Sequence, residues 1–240
     1  MTDYSGLDVC CFYTDLGREG YEPLMADMTA SAHEQMPGCR TLLLSPNPTA
    51  KTAQHFDGVV PIENCDVDAN KLCFNRGRAH VSWMTLTERP ALLVDPDIVF
   101  RSPFPLDREC DVGLNWRGKP DQPVNSGAVF ARPGCPKFWH HYGTVCVNLP
   151  KKLWHWWVDQ LSFSLMTGVC HEAGEILRLD DARVALWSAE DNCGSDDIVT
   201  DKAWAIHKKG RRKGPGWEHV FVSADGPLPP GVEHCGPVAT

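Results

Sequence analysis

Ala91-Leu92-Leu93-Val94-Asp95-Pro96-Asp97 decides how the rest of the chain is read. Four apolar residues in succession suit a strand buried on both faces, the kind found inside parallel sheets. The run ends in two carboxylates at i and i+2 with a proline between them. In open α/β sheets ligands bind beyond the carboxyl ends of the strands. A stiff Asp-Pro-Asp turn can aim both side chains at one oxygen-seeking cation. The same tripeptide also makes an ordinary Asx turn between two strands, here leading into Ile98-Val99-Phe100. On its own it leaves both readings open.

Working backwards, Asn70 to Thr87 has a helical pattern, and Arg89-Pro90 closes it. Asp8 to Tyr13 is a short apolar run suited to a buried first strand. Tyr21 to His33 reads as a helix stopped by Pro37-Gly38. Arg40 to Leu44 is a second strand, closed by Ser45-Pro46-Asn47-Pro48, and Val59 to Ile62 a third. Strands alternating with helices predict a mainly parallel, wound α/β sheet over residues 1–100. Working forwards, strands are expected near Asp111 to Asn115 and from Gly127 to Ala131. A helix follows over Lys152 to Thr167, with Trp154, Trp157, Val158, Leu161 and Leu165 on one face. Residues 214–240 are rich in Gly and Pro and read as loops.

The length of 240 residues suits one domain. A hydrophobic fraction of 42% and a charged fraction of 22% are those of an ordinary water-soluble fold. The net charge of −8 provides no general attraction to nucleic acid or anionic membranes. No apolar stretch reaches the roughly 18 residues of a membrane span. Met1 to Asp8 has no basic segment leading into an apolar core, so no signal peptide is expected. The eleven cysteines include no C-x-x-C pair, which favours reduced, buried thiols over zinc or disulfide frameworks. The expected location is cytoplasmic, in a host cell if the protein is phage-encoded.

Three further features follow the Asp-Pro-Asp turn in order. Asn125-Ser126-Gly127 precedes the apolar run Ala128 to Ala131, and Asp159-Gln160 lies on the Trp-rich helix. His207-Lys208-Lys209-Gly210-Arg211-Arg212-Lys213 then follows the strand-like Ala203 to Ile206. As an ordered set of D-x-D, N-x-G, D-Q and H-x-x-G-x-x-K, these resemble the GT-A glycosyltransferases. The likeness is greatest to the retaining glycogenin-like and galactosyltransferase-like, family 8-type group, and it runs from Val9 to Lys213. It departs from that group at Pro96 within the D-x-D, and at Gly214-Pro215-Gly216-Trp217 where a tight Pro-Trp is usual.

The resemblance implies a single GT-A domain, with a Rossmann-like, mainly parallel sheet, flanking helices and a smaller mixed subregion, residues 1–100 forming the nucleotide-binding half and residues 101–213 the acceptor and donor-sugar half. It also implies a nucleotide-diphosphate sugar as donor, a UDP-sugar above all, and a divalent metal. Asp95, Asp97 and His207 match the metal ligands, and one imidazole among oxygen donors suits Mn2+ better than Mg2+. Gly210 and Lys213 match diphosphate contacts, Arg78 a basic donor contact, and Thr14 the base and ribose region. Asn125, Ser126, Gly127, Asp159 and Gln160 match the surroundings of the donor sugar, with Asp159 and Gln160 in the catalytic role. In this group transfer retains the anomeric configuration.

The acceptor stays open between a glycan, a protein side chain and a hydroxymethylated pyrimidine in DNA. The reading leans towards DNA because Lys208, Lys209, Arg211 and Arg212 form a basic run that could meet a polyanion. Trp156, sharing a face with Gln160 and Phe163, is the aromatic to watch as a stacking platform. Two other classes compete: a nucleotidyltransferase, and a nucleotide-sugar binding module without turnover. Thr14 to Gly20 lacks the Gly-rich phosphate loop that the first of these usually carries.

Overall fold

The computed structural model describes residues 2–17, 20–63, 65–119, 122–154, 157–195 and 200–208. Gly210, Lys213, Lys209, Arg211, Arg212 and Trp156, together with the Gly/Pro-rich stretch 214–240, lie outside the described residues.

Strands β1 (Asp8–Phe12), β2 (Arg40–Ser45), β3 (Gly58–Pro61) and β4 (Ala91–Val94) alternate with helices α1 (Tyr21–Gln35), α2 (Ala50–Ala53) and α3 (Leu72–Leu86). The four strands pair in parallel in the order β3-β2-β1-β4, as the alternation of elements predicts. Beyond β4 the sheet becomes mixed. β7 (Val124–Ala131) runs antiparallel to both β4 and β6 (Val112–Trp116). β9 (Ala182–Ser188) is parallel to β6, and β8 (Ile176–Leu179) forms the antiparallel edge. The whole is an eight-stranded sheet in which parallel pairs outnumber antiparallel ones. A second sheet of three strands joins β5 (Ile98–Phe100) to β11 (Ala205–His207) and β11 to β10 (Cys193–Ser195).

Alternation along the central strands divides the core in two. Cys10, Phe12 and Leu93 face one side, where they pack with Phe138, Trp139, Tyr142 and Phe163. Val9, Cys11, Leu92 and Val94 face the other, against Met28, Phe104, Phe130, Trp187 and Trp204. Both faces being covered explains why β1 and β4 read as unbroken apolar runs.

Three expectations need correction. The helix placed at Lys152 to Thr167 begins later: Lys151–Leu153 is a 3-10 turn, and helix α5 runs Val158–Thr167. Its buried face is Val158, Asp159, Ser162 and Phe163, whereas Leu165 is 57% exposed, so the apolar stripe drawn through Leu165 had the wrong phase. Asn125-Ser126-Gly127 lies inside β7 rather than before it. There β6 and β7 slip register, Leu114 facing Val129 but Asn115 facing Asn125. The irregularity leaves residues 126–128 without a register partner on β6, while Ala128 faces Val94 of β4.

Helix α4 (Pro136–Asn148) was not expected from the sequence at all. Gly143, Thr144, Val145 and Val147 give it weak intrinsic propensity. Tertiary contacts supply what propensity lacks: Asp181 accepts hydrogen bonds from the Lys137 and Phe138 amides, capping its first turn. Phe138, Trp139 and Tyr142 carry its buried face. Among the described residues no helix is long and apolar enough to cross a membrane. Ten described cysteines are free, and eight of them are buried, which accords with reduced thiols.

Candidate metal centre

The centre is built by two backbone devices at the carboxyl end of β4. First, the Asp95 amide donates to the Gly127 carbonyl at 2.8 Å, tying the Asp-Pro-Asp turn to the irregular stretch of β7. Second, β5 leaves that turn and pairs antiparallel with β11, so that His207 lies opposite Ile98, one residue beyond Asp97. The Lys208 amide closes the ladder by donating to the Asp97 carbonyl at 2.9 Å. A histidine 110 positions downstream in the sequence is thereby brought beside both aspartates.

His207 Nε2 lies 3.0 Å from Asp97 Oδ1 and 3.5 Å from Asp95 Oδ2, and all three side chains are largely buried. One donor atom from each residue lies within 4.8 Å of the others. Around a cation with bonds near 2.1 Å, adjacent octahedral donors stand about 3 Å apart and opposite ones about 4 Å. The three residues therefore fit a small divalent cation in spacing, and the mixed set of two carboxylates and an imidazole fits one of intermediate hardness.

Gly127 has a clear part in this arrangement. A Cβ there would stand 2.5 Å from His207 Cε1 and 2.6 Å from Nδ1. The imidazole thus lies against bare backbone, and only glycine leaves it room. Gly127 itself is fixed by Asn125, whose Oδ1 accepts from the Gly127 amide at 3.0 Å. The N-x-G pattern acts through the imidazole's seat.

Next to the triad lies a residue that the sequence reading passed over. Arg76 on α3 donates to Asp95 Oδ1, to Asp159 Oδ2 through both Nε and a terminal nitrogen, and to Ser126 Oγ at 3.0 Å. Ser126 Oγ in turn donates to Asp159 Oδ2 at 2.8 Å. Burial works against the charge of Arg76, but the Asp159 and Asp95 carboxylates outweigh it and hold the guanidinium well above the ordinary arginine value. Arg78, expected to reach the donor, is exposed, with its guanidinium 5.9 Å from the Phe74 ring centre, and lies outside this cluster. Two residues along a helix turn the side chain by roughly 200°. Cys73 and His80, three before and four after Arg76, are buried, and that phase was the available signal for Arg76.

Asp159, at the start of α5, is fully buried, and its Oδ1 has no hydrogen-bond partner. Gln160 Oε1 and Thr14 Oγ1 are likewise buried and unpaired. Thr14 follows β1, whose Cys11 pairs with Val94, so it shares the edge from which Asp95 projects. Buried polar atoms seldom go unsatisfied, and Asp159 Oδ1, on the carboxylate whose Oδ2 is held by Arg76 and Ser126, is placed to accept from a polar ligand. Lys208, the only described member of the basic run, pairs with Asp27 on α1 at 3.0 Å.

Comparison with known proteins bears on the frame that holds this cluster. No family model matches the chain, and no curated protein does either. Among solved structures, one described as a glycosyltransferase involved in the glycosylation of the major capsid of PBCV-1 aligns with a TM-score of 0.53 at 11% identity. The alignment covers 84% of this chain and 92% of that one. The fold is of the GT-A type. At this identity the likeness is one of architecture, so the chemistry has to be argued from the residues. In this GT-A sheet the Asp95, Asp97, His207, Arg76 and Asp159 side chains converge beyond β4, at the strand ends where open α/β sheets bind ligands.

Proposed function

We propose that the protein is a metal-dependent glycosyltransferase that moves a sugar from a nucleotide diphosphate, a UDP-sugar first among candidates, to a hydroxyl acceptor. The observation that carries this reading is the convergence of Asp95, Asp97 and His207 within 4.8 Å at a strand end of a GT-A fold. A divalent cation held there, with Mn2+ favoured, would offset charge on the departing diphosphate as a Lewis acid. The chain's own residues do the remainder. Thr14 contributes a free hydroxyl for the nucleoside, and Asn125 and Ser126 border the sugar. Asp159 and Gln160 present unpaired oxygens that can accept from sugar hydroxyls and stabilise positive charge at the anomeric carbon. Gly210 and Lys213 are assigned to the diphosphate on the sequence pattern alone.

In the reaction the anomeric C–O bond to the diphosphate breaks and its electron pair leaves with the phosphate. The acceptor oxygen forms the new bond and its proton passes to the leaving phosphate oxygen. Retention is proposed on the likeness of the motifs to the retaining group, and the front-face route because Arg76 and Ser126 hold the Asp159 carboxylate through Oδ2, which lowers its strength as a nucleophile. An inverted linkage in the product's NMR spectrum would refute it. For the acceptor we propose hydroxymethylated pyrimidine in DNA, on the basic run Lys208 to Lys213. A duplex target would have its base extruded towards the site. Incubation with donor and hydroxymethylated DNA should add one sugar mass per modified nucleoside. No mass gain there, with transfer to a glycan or protein, would move the assignment to those acceptors.

The core reading has its own test. Asp97→Ala should lose Mn2+ binding and lower donor turnover by at least about 100-fold, as removal of one electrostatic catalytic contact commonly does. The circular dichroism spectrum should stay unchanged. Full activity in that variant, or in EDTA, would exclude the metal-dependent reading.

A further inference from the structure

Three carboxylates meet at this centre with little water to screen them. Asp97 and Asp159 are 5% and 0% exposed as residues, and the Asp95 side chain is 15% exposed. Placing uncompensated carboxylates together in such surroundings is costly, so something has to balance them. His80, one turn after Arg76 on α3, is not that group. Burial and the neighbouring Arg76 charge push its imidazole down to about 3, so it is neutral. Lys208 is turned to Asp27. Among the described residues, Arg76 is the permanent cation in contact with the cluster, and it bridges Asp95 to Asp159.

Asp95 is shared in an informative way. Its Oδ1 receives Arg76 while its Oδ2 faces His207. The charge that a metal would draw on is thus already engaged by a guanidinium on the other oxygen of the same carboxylate. A dication at Oδ2 and Arg76 at Oδ1 repel one another across a few ångströms, in surroundings where such repulsion is poorly screened.

We propose that Arg76 is the built-in counter-cation of the centre: it stabilises the cation-free protein by neutralising Asp95 and Asp159, and it thereby weakens the grip of the same centre on a divalent metal. The inference rests on the metal reading above. It adds that metal affinity is set by competition with a residue of the chain and not by the three ligands alone. An anionic diphosphate arriving between Arg76 and the metal relieves their repulsion, so donor and metal strengthen each other's binding.

The test is titration of MnCl2 alone, followed by the EPR signal of free Mn2+, into wild type, Arg76→Gln, Arg76→Lys and Asp97→Asn. Arg76→Gln should bind Mn2+ about tenfold more tightly than wild type, since a buried ion pair to a ligand carboxylate no longer opposes the metal. It should also melt at lower temperature in EDTA and recover when Mn2+ is added. Arg76→Lys keeps a point charge that cannot fork between two carboxylates, and should gain roughly threefold. That variant carries the comparison if Arg76→Gln does not fold even with metal. Equal or weaker Mn2+ binding in the folded Arg76 variants, with wild-type binding abolished in Asp97→Asn, overturns the counter-cation role and leaves the metal reading standing. No Mn2+ binding by wild type or by any folded Arg76 variant overturns the metal reading itself.

Discussion

The seat of His207 is a matter of single atoms. Gly127 leaves no side chain between β7 and the imidazole, and a Cβ at that position would stand 2.5 Å from the ring. Contacts that short are not tolerated, and the ring, enclosed with only 4% of its side chain exposed, has little freedom to retreat. Gly127→Ala is therefore expected to shift Nε2 away from Asp97 and weaken Mn2+ binding by about tenfold. The stability loss should be about 1–3 kcal/mol, the usual range for overpacking. Manganese titration and urea unfolding measure the two effects separately, and a variant with native metal affinity would show that the imidazole is not held by this contact. His80 gives a second expectation at the same scale. Its pKa falls from 6.5 to about 3 in the folded chain. Because the unfolded chain takes up the proton first, this group's contribution is complete above pH 6.5 and is lost as the pH falls towards 3. Between pH 7 and pH 5 that amounts to about 2 kcal/mol. Between the two pH values, the unfolding free energies from urea melts of wild type and His80→Leu should change by amounts that differ by about 2 kcal/mol, wild type losing the more.

At the scale of elements, α3 matters because it carries Arg76 into the site, and its packing against α4 fixes where that side chain arrives. The contact is made by Gly77: a Cβ there would lie 3.2 Å from both Cys146 Sγ and Tyr142 Oη. Gly77→Leu forces the two helices apart. It should cost about 1–3 kcal/mol of stability, and by moving Arg76 it should tighten Mn2+ binding in the same direction as Arg76→Gln. Loss of stability without any change in metal affinity would show that α3 can shift while Arg76 holds its partners. The elements differ in how far the sequence disclosed them. β2, β4 and α3 were legible because each stretch closes on a proline, at Pro46, Pro96 and Pro90, and β1 and β4 because the parallel half of the sheet is buried on both faces. α4 was not, since its helical state depends on Asp181 and on packing of Phe138 and Tyr142 that only the tertiary structure supplies. The irregular start of β7 escaped for a related reason. A register slip is decided between strands, and no single strand records it.

Across the whole molecule the two ends of the central sheet serve different purposes. At the carboxyl ends lie Asp95, Asp97, Asp159 and Arg76, a cluster that we read as awaiting a cation and an anionic donor. At the opposite end, Asp8 opens β1 with its side chain fully buried. It receives Arg40 from β2 at 2.9–3.0 Å and Arg89, just before β4, at 2.9 Å. This cluster has the same chemistry of carboxylate and guanidinium but the opposite balance: one acid is met by two arginines, one at the start of β2 and one just before β4. Composition alone does not distinguish the two clusters. The distinction lies in which strand ends they occupy and in whether acids or bases are in excess. Asp8→Asn should then lower stability by about 1–2 kcal/mol, because the amide keeps the volume but loses the charged bonds to two guanidinium groups that water still partly solvates. Its Mn2+ affinity should match wild type, since the sheet separates the two clusters by the length of β1. Should Asp8→Asn weaken Mn2+ binding while remaining folded, the two ends would be coupled through the sheet, and the division of labour drawn here would have to be abandoned.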